Sequence, residues 1–306
     1  MPPAVPIRVG TAGWSYEDWN SIVYPTRPPP AFDRLGLMAS LFDTNEINSS
    51  FYRIPTPRMT ADWARRVAHN RRFAFTAKLF RGFTHERKSG AEDQKAFAQA
   101  AEPLAQAGRL GALLAQFPFS FHDSVENRRW LEDLLEKFSS FPLAVEFRHA
   151  SWNSEETRDL LARHRAAFVN IDQPRLDGNL PPTSHLTASF AYYRFHGRNA
   201  PKWFGPDTSN EQRYNYLYSE KELTPWADRI RQAGDKLASR QEDAAARGVY
   251  VILNNHFRGQ AVANAIQLQM ALTGESRDVP ETLRETYPAL VPVTTAAAAE
   301  PQRRLF

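Results

Sequence analysis

The chain has 306 residues, 42% of them apolar and 24% charged, with a formal net charge of +4 and no cysteine. These figures describe a soluble globular chain long enough for one α/β barrel or two ordinary domains, and they exclude disulfides and thiolate chemistry. No run of eighteen apolar residues occurs, and the opening MPPAVPIRVG lacks the basic and apolar regions of a secretory leader, so a cytoplasmic chain with no membrane partner is expected.

Taken in chain order, short β-rich runs alternate with helical runs almost to the end. Strands are expected at Ile7–Trp14, Thr44–Tyr52, Arg72–Leu79, Leu110–Pro118, Leu143–His149, Ala167–Asp172, Phe190–Gly197 and Val249–Asn255. Eight parallel strands with helical crossovers close a single (β/α)8 TIM barrel. Asp123 and Glu126 form a capping-box pattern ahead of Trp130, Leu131, Leu134, Leu135 and Phe138, which fall on one helix face. Ser154 precedes two acids and then Leu160 and Leu161, and Ser219 with Glu222 repeats the capping box before Leu223, Trp226, Ile230 and Leu237. Each start places acids where the helix dipole favours them.

Two segments break the alternation. Pro174–Ser189 holds Asp177, Gly178, Pro181 and Pro182, so the sixth crossover is expected to be an irregular loop without a full helix. Gly197–Tyr218 is a long aromatic-rich insertion after the seventh strand, the kind of post-strand loop on which barrel enzymes build sites. Residues 1–288 are read as the barrel domain and 289–306 as a flexible low-complexity tail.

Side chains alternate across a strand, so every second strand residue points into a barrel. Applied here, the rule places Glu46 and Asn48, Lys78, Gln116, Glu146 and Arg148, Asn170 and Asp172, Arg194 and His196, and Asn254 inside. All lie near the C-terminal strand ends, where barrel active sites form. So many buried ionisable groups must pair with one another or with a ligand. One reading is a salt-bridge network closing the barrel, for instance Glu146 with Lys78 or Arg194; the other is a polar site for an anionic or polyhydroxyl substrate. His196 is the general acid/base candidate because its ordinary pKa lies near neutrality. His85, after the third strand, is placed to cover the site. Glu46 and Glu146 suit either a glycosidase carboxylate pair or a divalent metal, although the histidine spacings of zinc sites are missing. Trp14, Phe51, Tyr52, Trp152, Trp203, Phe204 and Tyr218 are expected at the same end, to stack on a sugar or base or to pack the loops.

Several segments together resemble the YecE-like family, domain-of-unknown-function family seventy-two, over nearly the whole chain. They are Gly10–Tyr16, Asn45–Tyr52, Thr84-His85-Glu86, Gln116-Phe117-Pro118, Val145–His149 with Ser151-Trp152, Arg194–Arg198, Tyr218-Ser219, and Asn254-Asn255 with Gly259 and Ala261. The resemblance implies a barrel fold and supplies no established reaction. Its members are similar in shape to metal-dependent endonuclease and sugar-isomerase barrels, whose histidine-rich ligand set is missing here. The C-terminal Gln302-Arg303-Arg304-Leu305-Phe306 resembles the Q-x-x-L-F peptide by which bacterial DNA-processing proteins dock on the sliding clamp. In that docking, Leu305 and Phe306 enter an apolar pocket while Gln302 sets the register.

The expectation is therefore an enzyme acting at its barrel mouth on an anionic substrate, nucleic acid first. Lys78, Arg148 and Arg194 would bind phosphate, while Glu46, Glu146 and His196, with His85 nearby, would transfer protons or hold a metal. Trp14, Asn48, Tyr52, Gln116, Asp172 and Asn254 complete the expected substrate site. The alternatives are a small-metabolite or carbohydrate isomerase, lyase or glycosidase in a closed pocket lined by Trp14, Tyr52 and Trp203, and a non-catalytic DNA- or clamp-associated binding module.

Overall fold

The computed structural model describes residues 5–203, 210–240 and 248–296. Eight parallel strands pair in sequential order and close on themselves: β1 (Ile7–Ala12), β2 (Thr44–Ile47), β3 (Ala74–Lys78), β4 (Leu110–Gln116), β5 (Leu143–Glu146), β6 (Ala167–Asp172), β7 (Phe190–Phe195) and β8 (Gly248–Leu253). Outside them lie α1 (Arg34–Leu41), α2 (Pro57–Arg66), α3 (Arg81–Thr84), α4 (Ala91–Gln106), α5 (Val125–Lys137), α6 (Glu155–Arg163), α7 (Asn210–Arg213), α8 (Glu220–Ser239) and α9 (Gln260–Thr273). A short helix, α10 (Glu281–Thr286), and a parallel pair of three-residue strands, β9 (Arg277–Val279) and β10 (Thr294–Ala296), follow. The TIM barrel expected from the strand count is the observed fold.

Most of the expected strands run past their ladders, to Trp14, Tyr52, His149 and Gly197 for example, where pairing ends at Ala12, Ile47, Glu146 and Phe195. Those C-terminal residues leave the sheet to build the mouth; Ser49–Phe51 and Ala150–Trp152 turn into 3-10 helix. Helix starts follow the capping logic. Ser154 and Ser124 accept from the amides of Thr157 and Asn127, and Ser219 with Glu222 forms the full capping box. The N-cap of α5 is thus Ser124; Asp123 instead takes both guanidinium arms of Arg128.

The strands feed two apolar layers. Phe75, Leu113, Val145, Phe147 and Phe168 pack outward against the helices with Leu131, Leu134 and Trp152. Val249, Val251 and Phe195 meet Trp226, Ile230 and Ile266 of α8 and α9. Close approach dictates two glycines. A Cβ on Gly10 would lie 1.8 Å from the Thr44 carbonyl oxygen, and one on Gly111 would lie 2.6 Å from the Tyr250 ring, which fills the barrel at that level.

No helix joins β6 to β7, as expected. This gap explains a misread parity. In the ladder Ile171 pairs with Arg194, while Asn170 pairs with Tyr193 and Asp172 with Phe195, so Asn170 and Asp172 face outward and not into the barrel. Asn170 pins the helix-free loop by accepting from the Thr183 hydroxyl and the His185 amide and donating to the His185 carbonyl. Asp172 accepts from two nitrogens of Arg198, at 2.8 and 2.6 Å, and from the Trp226 indole on α8. A loop that cannot satisfy its own backbone as a helix does needs such polar partners from the strand beneath it.

Of the tail read from 289, the described residues 289–296 carry structure packed on the barrel. Pro288–Val293 forms 3-10 helix, Leu290 is fully buried, and Thr294 donates back to the Leu290 carbonyl. The apolar Leu290 side chain outweighs the low-complexity look of its neighbours. Among the described residues no helix is long and apolar enough to cross a membrane. Gln302, Leu305 and Phe306 lie outside the described residues. Leu290→Ala should lower unfolding free energy by about 2–4 kcal/mol, as truncation of a buried leucine does, measured by urea denaturation; a mobile segment would lose nothing.

Candidate functional site

The C-terminal ends of the strands surround a cavity of about 1000 Å³. Its foundation is a buried chain of charges. Arg194 on β7 is 1% exposed and sits between two carboxylates that are 0% exposed, Glu46 on β2 and Glu146 on β5. Its Nε donates to Glu46 Oε2 at 3.0 Å and one terminal nitrogen to Oε1 at 2.6 Å, while the other terminal nitrogen donates to Glu146 Oε2 at 2.6 Å. Tyr192 closes the lower side, its hydroxyl donating to Glu46 Oε2 at 2.8 Å and lying 2.7 Å from the Thr76 hydroxyl. The remaining oxygen of Glu146 faces Arg148 Nε at 2.7 Å and His196 Nε2 at 3.2 Å.

Both Glu46 oxygens and Glu146 Oε2 accept hydrogen bonds, while Glu146 Oε1 is buried in ion-pair contact with Arg148 and His196 without a hydrogen bond; the charges balance, two carboxylates against two guanidiniums. Burial alone costs several kcal/mol per ion, and only such short, multiply bonded geometry offsets it. Burial opposes the charge of Glu146, but Arg148, Arg194 and His196 overcome it and hold the carboxyl well below its usual range. Arg194 is raised above its ordinary value, its own burial outweighed by Glu146 and Glu46.

His196 is 0% exposed. Its Nδ1 lies 3.1 Å from the Asn254 amide nitrogen and 3.4 Å from Arg148, both donors. Nε2 lies 3.4 Å from Arg194 and 3.2 Å from Glu146 Oε1, and this carboxylate, an acceptor, places the ring proton on Nε2. Burial first, and then the Arg148 charge, push its pKa down to about 3. The imidazole is therefore neutral near physiological pH, and it positions Arg148 and Asn254 from beneath the floor.

Lys78, at the end of β3, has no such partner. Its backbone is fixed by the Ser50 hydroxyl, which donates to the Lys78 carbonyl at 2.6 Å. The ammonium nitrogen lies 3.8 Å from the centre of the Phe51 ring. No hydrogen bond or ion pair to it exists among the described residues, because the nearby carboxylate oxygens already belong to Arg194 and Arg148. Burial, and then the positive field of Arg194, lower its pKa to about 7.

The cavity wall is aromatic. On the β7–β8 side, Trp203, Tyr214, His256 and Tyr16 follow one another with ring centres 6.4, 5.2 and 4.5 Å apart, the last pair stacked. Arg148 lies over Trp203. Opposite, Trp14 meets Trp63 edge-on at 5.5 Å, and His85 meets Phe51 at 4.8 Å.

Of the residues expected in the site, Trp14, Asn48, Tyr52, Lys78, His85, Gln116, Arg148, Arg194 and Asn254 line the cavity. Glu46, Glu146 and His196 are brought together with them but lie beneath the lining, fully buried. Asp172 is excluded by the parity described above. Trp152 and Tyr218 are core residues, 0% and 1% exposed, their polar atoms held by the Phe121 carbonyl and the Gly197 amide. Phe204 lies outside the described residues.

Sequence reasoning missed Tyr16, Trp63, Arg213, Tyr214 and His256 as lining residues. Tyr214 and Arg213 lie in the insertion already marked as aromatic-rich, so their signal was present but undirected. Trp63 lies on α2, and nothing local distinguishes it from a core tryptophan. A divalent metal does not fit the expected ligands: Glu46 and Glu146 are neutralised by guanidiniums, and no cluster of three or more His, Asp or Glu suited to a metal occurs among the described residues.

A family model described as a protein of unknown function, DUF72, matches residues 8–289. UPF0759 protein YunF of Bacillus subtilis (strain 168) is 28% identical over 277 residues, spanning 86% of this chain and 93% of its own length. The crystal structure of a DUF72 family protein from Thermotoga maritima MSB8 is 37% identical, with a TM-score of 0.74, over 87% of this chain and 99% of that one. A DUF72 family protein from Enterococcus faecalis V583 is 26% identical at a TM-score of 0.74, over 87% and 95% of the two chains.

The depressed pKa of His196 has a stability consequence. Above its ordinary value of 6.5 the ring is neutral folded or unfolded, and its contribution is complete. Below 6.5 the unfolded chain takes up a proton that the folded site refuses until about 3, so stability falls with falling pH across that window. Replacing His196 with Gln removes this titration, and the wild-type lead over His196→Gln should shrink by about 1–2 kcal/mol between pH 7.5 and pH 5, measured by denaturation at both values.

Proposed function

The chain belongs to the DUF72 family of proteins of unknown function, and we propose that it is an enzyme whose barrel mouth takes a phosphate-bearing ligand with a flat ring, a nucleotide or the end of a nucleic-acid strand. One observation carries this reading: the cavity lining contains Lys78, Arg148, Arg194 and Arg213 and, among the described residues, no aspartate or glutamate. Glu46 and Glu146 balance Arg194 and Arg148 from beneath the lining, so the net pull on an anion comes from Arg213 with Lys78, joined by the guanidinium N–H groups that face the cavity, and desolvation in a concave site strengthens it. Arginine beside tryptophan and tyrosine suits a phosphate attached to an aromatic ring.

Size narrows the substrate. About 1000 Å³ is at the upper end of small-molecule sites; it accommodates a nucleotide, or a base swung out of a strand, and not a duplex. Trp14 and Trp203 on the cavity wall, with the exposed Tyr52 at its rim, also suit the second reading, a small anionic metabolite such as a sugar phosphate. Arg148 and Arg213 are the residues to orient the anion, Trp203 and Tyr214 to stack the ring. Glu46, Glu146 and His196 act from below by fixing Arg194, Arg148 and Asn254. The clamp-like Gln302, Leu305 and Phe306 contribute a sequence argument for a DNA-processing setting.

Calorimetric titration with a mononucleotide, a sugar phosphate and a short single-stranded oligonucleotide separates these readings. Arg213→Ala leaves the buried charge chain intact and should weaken the true ligand about tenfold or more, the scale of one charge-assisted hydrogen bond, with affinity falling as salt rises. Absence of binding by all three at about 1 mM, the weak limit of specific recognition, would remove the reading.

A further inference from the structure

We propose that Lys78 is a covalent catalytic residue: its amine condenses with the carbonyl of an aldehyde or ketone that carries the anionic group held in the cavity. The proposal rests on the cavity being the ligand site and goes beyond it by naming the reactive functional group. Three observations meet at this side chain. First, Lys78 lines the cavity, so its nitrogen is reachable. Second, among the described residues no carboxylate pairs with it, unlike Arg148 and Arg194 beside it. Glu46 gives one oxygen to Arg194 and the other to Arg194 and Tyr192, and Glu146 gives one to Arg194 and the other to Arg148 and His196. Third, Phe51 holds the amine at 3.8 Å from its ring centre, which limits the directions from which a carbonyl can approach.

Two guanidiniums already neutralise two carboxylates, so a charged Lys78 would leave a net positive charge in the floor. Burial and the charge of Arg194 favour the free amine, the nucleophilic form, against Glu46, Glu146 and the Phe51 ring, which favour the ammonium. Its nearest electrostatic neighbours are Arg194, Glu46, Glu146 and Arg148, and its pKa of about 7 leaves a large neutral fraction at physiological pH.

The step balances without a co-reactant. The nitrogen lone pair forms a bond to the carbonyl carbon while the C=O π pair moves to oxygen. Two amine protons pass to that oxygen, it leaves as water, and a C=N bond remains. Nothing is oxidised or reduced. An imine beside an anion anchored by Arg148 and Arg213 draws electrons from the neighbouring carbon, which suits cleavage, elimination or isomerisation next to a carbonyl. Such a carbonyl comes either from a small sugar phosphate or from the sugar of a base-free nucleotide in a strand.

Borohydride trapping on the full chain is the test. Two probes are used in separate arms, pyridoxal 5′-phosphate and a single-stranded oligonucleotide with one abasic site, and the modified lysine is located by peptide mass spectrometry. Lys78 should be trapped at least about tenfold faster than the other lysines, with a rate that rises through pH 7, where its amine loses its proton, and with inorganic phosphate protecting it. Lys78→Met, which orphans no carboxylate and should fold, should abolish the selective adduct. Trapping in one arm identifies the source of the carbonyl. Phosphate-ligand binding without selective trapping in either arm overturns the covalent role and leaves the anion site standing; failure of both binding and trapping overturns the two together.

Discussion

Arg194 is a single guanidinium that ties the second, fifth and seventh strands together across the inside of the barrel. It holds Glu46 with two nitrogens and Glu146 with the third. Removing any one of the three would leave an uncompensated buried charge, a loss on the order of 3–5 kcal/mol. The cost of burying these groups is met by geometry that only a closed barrel provides: strands distant in sequence put their carboxylates about one guanidinium apart. The interaction therefore depends on closure, and in turn supports it.

The chemistry of the mouth follows from that same saturation. Once Arg194 and Arg148 have taken the carboxylate oxygens, Glu46 and Glu146 have little capacity to bind a metal or to accept substrate protons. His196, enclosed with them, is kept neutral and points its free nitrogen toward Asn254 and Arg148. What the network leaves to the cavity is cationic and amine character. Glu46, Glu146 and His196, the ionisable groups that look most catalytic in the sequence, thus form the support, and the charged side chains that touch the cavity include Lys78, Arg148, Arg194 and the arginine of the insertion, Arg213.

The loop replacing the sixth crossover helix shows how a fold irregularity redistributes polar residues. Asn170 faces outward onto the covering segment, meeting Thr183 and the His185 backbone, and Asp172 faces outward onto Arg198 and the Trp226 indole. Arg198, drawn to Asp172 and Glu222, anchors the start of the post-strand insertion to α8. The insertion then brings Trp203 and Tyr214 over the floor from one side.

Strand number, order and class were readable from the chain alone, because alternation of apolar residues and turn chemistry are local signals. Helix starts at Ser154 and Ser219 were readable for the same reason. Parity placed Glu46, Lys78, Glu146, Arg194 and His196 correctly in the interior, since their strands carry apolar residues on the opposite phase. It failed at β6, where both phases of Ala167–Asp172 are buried and polar residues serve the outer layer. The segment after Pro288 looked too simple to fold, yet Leu290 finds a core position that no local pattern announces. Only the tertiary structure decided which charges neutralise each other and which side chain is left over. Pairing depends on distances of a few ångströms between strands far apart in sequence, and alternation along one strand carries no information about those distances. For that reason Glu46 and Glu146 read as chemistry in the sequence and prove to be foundation, while Lys78, one cation among several, becomes an amine that no carboxylate among the described residues pairs with.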